Sequence, residues 1–252
     1  MKNIFVIAEN TFREKIRDRI LYAILGFAVL YILLDLFLAK LSLGDLLMIR
    51  SFGLAGIYIF GLIITIFLGS SLIYDEIERR TLYFVLSKPV SRRDVIWGKF
   101  IGLLGATALT TFLMALVYLG VVAYEGGGFD LLGLFAVFFQ ILEQGLFIAL
   151  LIFFSSLATP LTSTLSATMI LFVGHLLDAA LVNASEIGGV IYRAVFVASY
   201  LLPNLEKFNL RNLVAHDLFV SSVTGFLALG YALAYMALLL FAATIIFNRR
   251  EL

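Results

Sequence analysis

Long apolar segments are the feature that most constrains the fold of this chain. A helix needs about 20 mostly apolar residues to cross the hydrocarbon core of a bilayer, and six segments meet that requirement. Only 14% of the residues are charged, against about 25% in a typical soluble domain. The sequence therefore predicts an all-α polytopic membrane protein with six transmembrane helices in a single domain over residues 1–252. The predicted spans are residues 20–39, 53–74, 99–123, 131–157, 164–183 and 224–247.

The positive charges between these spans predict the orientation. Lysine and arginine collect on the cytoplasmic side of membrane proteins. The side that holds both termini and the loop between spans two and three carries 13 of the 18 such residues, and the opposite side carries 5. We therefore expect both termini and that loop in the cytoplasm. A net charge of +1 gives no basic field that would favour nucleic acid as a partner.

Residues 2–19 have the pattern of an amphipathic helix. Apolar side chains recur every four residues on one side, while most of the charged residues lie elsewhere. The pattern predicts an interfacial helix that lies on the membrane before the first span; a plain cytoplasmic start to that span is the alternative. The apolar positions are Ile4, Ala8, Phe12, Ile16 and Ile20.

Small residues also recur every four residues, along spans two and three. This spacing lets helix backbones approach closely, but it does not identify the neighbouring helix. The small residues are Gly61, Thr65 and Gly69 in span two, and Gly98, Gly102 and Ala106 in span three.

The longest charged segment, Asp75 to Lys99, separates spans two and three. Its first part has the spacing of a short amphipathic helix, which Pro89 ends. Ser91 and Asp94 then have the spacing of an N-cap and its capping-box partner, which predicts a second helix that continues into span three. Such an ordered, charged loop between two spans is typical of a surface held by another protein. The alternative is a solvated loop whose charge only sets the topology.

Residues 185–222 form the last loop on the outer side and are too apolar for a simple connection. The run from Ile187 to Leu202 predicts either a short helix in the outer leaflet or part of a folded external cap. Pro203 and Asn204 predict a turn after it.

A few ionisable residues fall inside or beside the predicted spans, where such residues are candidates for function. Asp35 lies near the outer end of span one, where it can reach water. Glu143 is near the middle of span four. His175 and Asp178 share a face of span five, and can form a packing pair, a proton relay or half of a metal site.

Catalytic sequence motifs are absent from the chain. It contains no cysteine, no H-E-x-x-H, no G-x-S-x-G and no complete phosphate-binding loop. We therefore expect that the chain neither hydrolyses ATP by itself nor holds a metal.

Three stretches resemble permease subunits of ABC transporters of the type-2, exporter-like class. Residues 8–22 resemble the connecting helix of that family and its continuation into span one. Residues 69–99 resemble its first cytoplasmic loop, and residues 202–210, with Pro203, Asn204 and Phe208, resemble its outer loop.

The resemblance implies a transport subunit of a prokaryotic inner membrane that works with a second permease chain, as a homodimer, and with two copies of a separate ATPase that binds ATP and Mg²⁺. A coupling loop, residues 75–98, would dock on the ATPase, and a connecting helix, with Phe12, Arg13 and Arg17, would brace it. The coupling residues implied are Glu76, Glu78, Arg79, Arg80, Thr81, Leu82, Phe84, Leu86, Lys88, Pro89, Arg92 and Arg93.

The resemblance also implies export along a path between spans two and five, to which Glu143, His175 and Asp178 would contribute if it is polar. Two other classes of function stay open. An intramembrane enzyme would need these three side chains within hydrogen-bond reach of one another. A channel or ion-coupled carrier would need no elaborate cytoplasmic loop.

Overall fold

The computed structural model describes residues 2–17, 19–41, 46–70, 91–215 and 222–249. Nearly all of them are helical, and no strand occurs among them. The helices are α1 (Lys2–Arg17), α2 (Arg19–Leu41), α3 (Leu46–Gly69), α4 (Arg92–Tyr124), α5 (Leu131–Ser155), α6 (Pro160–Ile187), α7 (Gly189–Leu201), α8 (Arg211–Ala215) and α9 (Ser222–Arg249), with a 3₁₀ turn at Glu206–Phe208.

Five of these helices are long and apolar enough to cross a membrane, namely α3, α4, α5, α6 and most of α9. They coincide with predicted spans two to six. The first predicted span falls on α2, whose apolar stretch in the described part of the chain, Ile24–Leu38, is shorter. The prediction of an all-helical membrane protein is confirmed, and a sixth span stays a prediction.

Several helices extend beyond their predicted apolar segments. Helix α3 begins at Leu46 rather than residue 53, whereas α4 begins at Arg92, where a helix that continues into span three was predicted. The start of α4 confirms the predicted capping box, since Asp94 N donates to Ser91 Oγ at 3.1 Å and Ser91 N donates to Asp94 Oδ2 at 3.3 Å. Helix α4 thus begins inside the charged segment Asp75 to Lys99 and continues into span three.

Helix α5 lies at the centre of the bundle. It packs against α3, α4, α6 and α9, and 72% of its most apolar stretch is buried. Helix α6 lies at the edge, where the corresponding share is 22%. The chain then reverses at Gly188 and Gly189, whose φ angles of +71° and +63° suit glycine. Helix α7 therefore packs back along α6 and has no buried residue.

The N-terminal helix α1 packs along the first half of α4. A Cβ on Gly98 would lie 2.7 Å from Ile7 Cβ, and one on Gly102 would lie 2.5 Å from the backbone oxygen of Ala8. Helix α1 thus packs against the small residues of span three. Their spacing predicted close packing but did not identify the neighbouring helix. Phe5 and Val6 on the outer side of α1 stay exposed, which fits a helix that also faces lipid.

The helix bundle has two distinct ends. The terminal end contains α1, the start of α4 and the end of α9, with both α1 and α9 packed against α4. Arg92 Nη1 of α4 donates to Phe247 O of α9 at 2.6 Å. The loop end contains the end of α4, the start of α5 and residues 202–215. Asp35, which was expected to reach water near this end, is only 3% exposed.

Candidate functional site

A buried polar network joins three helices to the outer segment at the loop end. Gly174 of α6 allows this contact, because a Cβ there would lie 2.6 Å from Pro203 O. Leu205 N then donates to Gly174 O at 3.2 Å. The 3₁₀ turn that follows packs against α5 and α6, and its Phe208 is 2% exposed. Glu206 is thereby held beside His175.

His175 is the centre of this network. Its Nε2 lies 2.8 Å from Glu143 Oε1, and its Nδ1 lies 3.1 Å from Glu206 Oε2. The Tyr58 hydroxyl donates to the same Glu143 oxygen at 2.9 Å and lies 2.8 Å from His175 Nε2. Ionised carboxylates only accept hydrogen bonds. With both glutamates ionised, each ring nitrogen therefore carries a hydrogen and the imidazole is a cation.

The network continues to Arg211 at the start of α8. Its guanidinium carbon lies 3.4 Å from the centre of the Tyr58 ring, and its Nε donates to Asn209 Oδ1 at 2.9 Å. Asn209 Nδ2 donates to Glu206 Oε1 at 2.9 Å. With His175 positive, the charges of Arg211 and His175 balance those of the two glutamates. Neutral, hydrogen-bonded networks of this kind are the form in which charges persist away from water.

Exposure increases along the network from the interior outwards. The side chain of Glu143 is 2% exposed, that of His175 is 17% and that of Glu206 is 37%. The imidazole touches a carboxylate with each nitrogen, so it can pass a proton between a buried and a half-exposed acid. It also ties α3, α5 and α6 to the outer segment.

Asp178 belongs to a separate branch. Its Oδ1 accepts from Asn204 Nδ2 at 2.6 Å, and Asn204 N donates to the Tyr231 hydroxyl at 2.9 Å. His175 and Asp178 share a helix face but are not bonded to each other, and the three residues of the enzyme hypothesis do not all meet. Among the described residues, no group of three acidic or histidine side chains could hold a metal ion.

A second polar group at the loop end was not foreseen from the sequence. Asp130 caps α5 by accepting from Gly133 N at 2.9 Å, and it also accepts from the Tyr118 hydroxyl at 2.6 Å. Arg50 Nε lies 3.4 Å from the same carboxylate. The D-x-x-G spacing at the start of α5 is a helix-capping signal, but neither Arg50 nor Tyr118 could be assigned to it without the fold.

At the terminal end, the two described arginines of the predicted coupling set differ. Arg92 is bound to the last turn of α9, with its guanidinium carbon 5.6 Å from the centre of the Phe247 ring, whereas Arg93 is exposed. The predicted residues of the connecting helix also divide, because Phe12 packs beside Gly105 while Arg13 and Arg17 line an open cavity of about 680 Å³.

Most of the predicted coupling residues lie outside the described part of the chain. These are Glu76, Glu78, Arg79, Arg80, Thr81, Leu82, Phe84, Leu86, Lys88 and Pro89.

Comparison with known families identifies the class of the protein. The family model described as ABC-2 family transporter protein matches residues 45–252. This chain belongs to that family. It is a multi-pass membrane protein and a permease subunit of an ABC transporter. A search of curated proteins gave no significant match.

The matched range of this ABC-2 permease contains two of the three stretches that carried the resemblance, residues 69–99 and 202–210. The third, residues 8–22, precedes it. The polar network of Tyr58, Glu143, His175 and Glu206 also lies inside the matched range.

Proposed function

We propose that the chain is the membrane-spanning subunit of an ATP-driven exporter, moved from the terminal end by a separate ATPase that docks on residues 75–98. Family membership supports the permease role. The observation that supports coupling most directly is the continuity of α4, which runs from its capping box at Ser91 to Tyr124. A helix of 33 residues spans about 50 Å at 1.5 Å per residue.

The start of α4 has the stiffness that coupling requires. Helix α1 is in backbone contact at Gly102, and Arg92 bonds to the last turn of α9. A displacement of the loop that precedes Ser91 would therefore move α1, α4 and the end of α9 together. Energetic coupling between distant sites depends on packed, rigid elements of this kind.

The proposed assembly contains two copies of this chain, as a homodimer, and two ATPase subunits that bind ATP and Mg²⁺. It lies in a prokaryotic inner membrane, with six spans per chain and both termini in the cytoplasm, as the distribution of lysine and arginine favours. ATP binding would bring the ATPases together and tilt the spans, and hydrolysis would reset them.

The proposed path runs beside α3 and α6, the helices that correspond to spans two and five. Tyr58 of α3 and His175 of α6 meet at Glu143 of α5. A change in the angle between α3 and α6 would have to strain or break these hydrogen bonds. The network is therefore the place where movement of the helices would change the polarity of the path.

Charge reversal in the loop tests the docking claim. The variant Arg79→Glu/Arg80→Glu with Phe84→Ala should lose co-purification with the proposed partner ATPase, since it inverts two charges and removes an apolar anchor. The control Lys40→Glu/Arg193→Glu makes the same charge change on exposed residues of the opposite side and should co-purify normally. If both variants co-purify normally with the ATPase, the proposal that the ATPase docks on this loop is wrong.

The two neighbouring arginines refine this test. We expect Arg93→Glu to weaken co-purification, because its side chain is exposed. We expect Arg92→Glu to lower the melting temperature of the purified chain, because Arg92 bonds to Phe247 O.

An ion-coupled carrier would instead transport its substrate on an ion gradient in vesicles that lack the ATPase. Such transport would contradict the proposal.

A further inference from the structure

A cleft of about 710 Å³ lies between α6, α7 and α9 at the loop end. Ligand sites in proteins commonly have volumes of roughly 300–1,000 Å³. Several of its lining side chains are exposed, among them Tyr192, Tyr200 and Lys207, so the cleft opens to the surroundings. It adjoins the branch of the polar network that contains Asp178 and Asn204.

Two series of aromatic rings form walls of the cleft. Tyr192, Phe196 and Tyr200 follow one another along α7 with ring centres 5.8 and 5.0 Å apart. Tyr231 and Tyr235 of α9 have ring centres 5.7 Å apart. Aromatic faces attract cations, including ammonium groups, so this lining suits a positively charged group.

The cleft also contains one acid and one base. Asn204 binds Asp178 through its side chain and the Tyr231 hydroxyl through its backbone nitrogen. Lys207 Nζ lies 4.4 Å from the centre of the same Tyr231 ring. In the described part of the chain neither charge belongs to an ion pair, so the carboxylate and the ammonium can both meet a ligand.

We propose that this cleft binds the head group of a zwitterionic phospholipid. Asp178 and the aromatic rings of α7 receive its ammonium group, and Lys207, which already lies over the Tyr231 ring, receives its phosphate, since lysine binds phosphate as a point charge. The acyl chains lie on the apolar surface beside the cleft, where Val182 and Val197 are 63% and 55% exposed. A lipid fits better than a soluble zwitterion because this apolar surface continues from the charged part of the cleft. The proposal concerns binding alone and does not depend on transport.

Native mass spectrometry of the delipidated chain in detergent tests this inference. The probes are phosphatidylethanolamine, phosphatidylcholine and phosphatidylglycerol with the same acyl chains. We expect one molecule of either zwitterionic lipid per chain, bound about tenfold more tightly than phosphatidylglycerol, which corresponds to about 1.4 kcal/mol. Equal affinity for all three lipids would overturn the proposal.

Two variants locate the site. Asp178→Asn should abolish the preference for zwitterionic lipids, and Lys207→Gln should weaken binding of all three lipids. The matched controls are Glu186→Gln on α6 and Arg193→Gln on α7, which change exposed charges outside the lining. The proposal fails if the two control variants change lipid binding as much as the two site variants do. In that case the aromatic rings of the cleft would act only as general interfacial anchors.

A soluble competitor distinguishes a lipid site from a site for a free zwitterion. Glycerophosphoethanolamine carries the same head group without acyl chains, and we expect it to displace the lipid only at a concentration at least about a hundredfold higher, given roughly 0.8 kcal/mol per buried CH₂. Displacement at equal concentration would overturn the lipid assignment. The melting temperature of Asp178→Asn should match that of the wild type, because an asparagine oxygen still accepts from Asn204.

Discussion

The two ends of the helix bundle are held together by different forces. At the terminal end, α1 packs on the glycines of α4 with its backbone in contact at Gly102. At the loop end, Glu143, His175 and Glu206 bind one another through hydrogen bonds. Close packing of helices in lipid depends on many small contacts. When one member of a buried charge network is left unpaired, the protein instead loses several kcal/mol in its free energy of unfolding.

This difference suggests a division of labour between the ends. Moving the packed helices of the terminal end together breaks none of the hydrogen bonds of the loop end, whereas opening the loop end separates charges that are paired in a poorly solvating interior. We therefore expect the terminal end to respond first to a docked partner, and the loop end to resist opening until that movement strains its hydrogen bonds. Substitutions at each end test whether the two ends differ in this way.

The largest expected effect is that of His175→Leu. It leaves the carboxylate of Glu143, which is 2% exposed, without its cationic partner, and we expect a loss of about 3–5 kcal/mol in the free energy of unfolding. Unfolding of the purified chain in a detergent and lipid mixture measures this loss.

A second substitution provides the control for His175. Adding Glu143→Leu to His175→Leu removes both charges, and replacing a buried pair by apolar residues is often close to neutral. We expect the double variant to recover at least half of the lost stability. If the two single losses simply add, the contact between Glu143 and His175 does not stabilise the loop end.

A smaller effect is expected for Gly102→Val at the terminal end. The new side chain would collide with the backbone of Ala8, and we expect a loss of about 1–3 kcal/mol together with release of α1. Faster tryptic cleavage after the exposed Arg13 and Arg17 would report that release. Gly120→Val in the same helix, where a Cβ meets nothing within 4 Å, should leave both measurements unchanged. Equal cleavage of the two variants would contradict the close contact.

The smallest expected effect is that of Tyr58→Phe. The ring under Arg211 is kept, while the hydroxyl that donates to Glu143 at 2.9 Å is lost. We expect a cost of about 1 kcal/mol for that hydrogen bond, measured by the same unfolding assay. Tyr124→Phe, at a side chain that is 77% exposed, should cost nothing measurable. Equal stability of Tyr58→Phe and wild type would show that the hydroxyl does not take part in the network.

Local sequence signals predicted local structure well. The pair Ser91 and Asp94 predicted the start of α4, because a capping box is complete within four residues. Apolar runs predicted five of the helices for the same reason, since burial in lipid depends on the local sequence. The start of α3 was misplaced because Arg50 interrupts an apolar run that begins at Leu46.

Contacts between distant segments could not be predicted in this way. The sequence marked Glu143 and His175 as unusual residues within spans, but Tyr58, Glu206 and Arg211 reach them from other elements. Their meeting depends on how α3 and the outer segment pack against α5. The stripe of Gly98 and Gly102 likewise predicted close packing without indicating that α1 would fill it.

Spin labelling tests whether a separate ATPase docks on the loop between α3 and α4. The chain contains no cysteine, so a label on a single introduced cysteine gives no background signal from other positions. One label is placed at Leu82→Cys in the loop between α3 and α4, and the other at Tyr124→Cys at the loop end, the opposite end of the bundle. Adding the proposed partner ATPase should broaden the electron paramagnetic resonance spectrum of the label at position 82 and leave that at position 124 unchanged. Unchanged spectra at both positions, or equal broadening at both, would contradict the account.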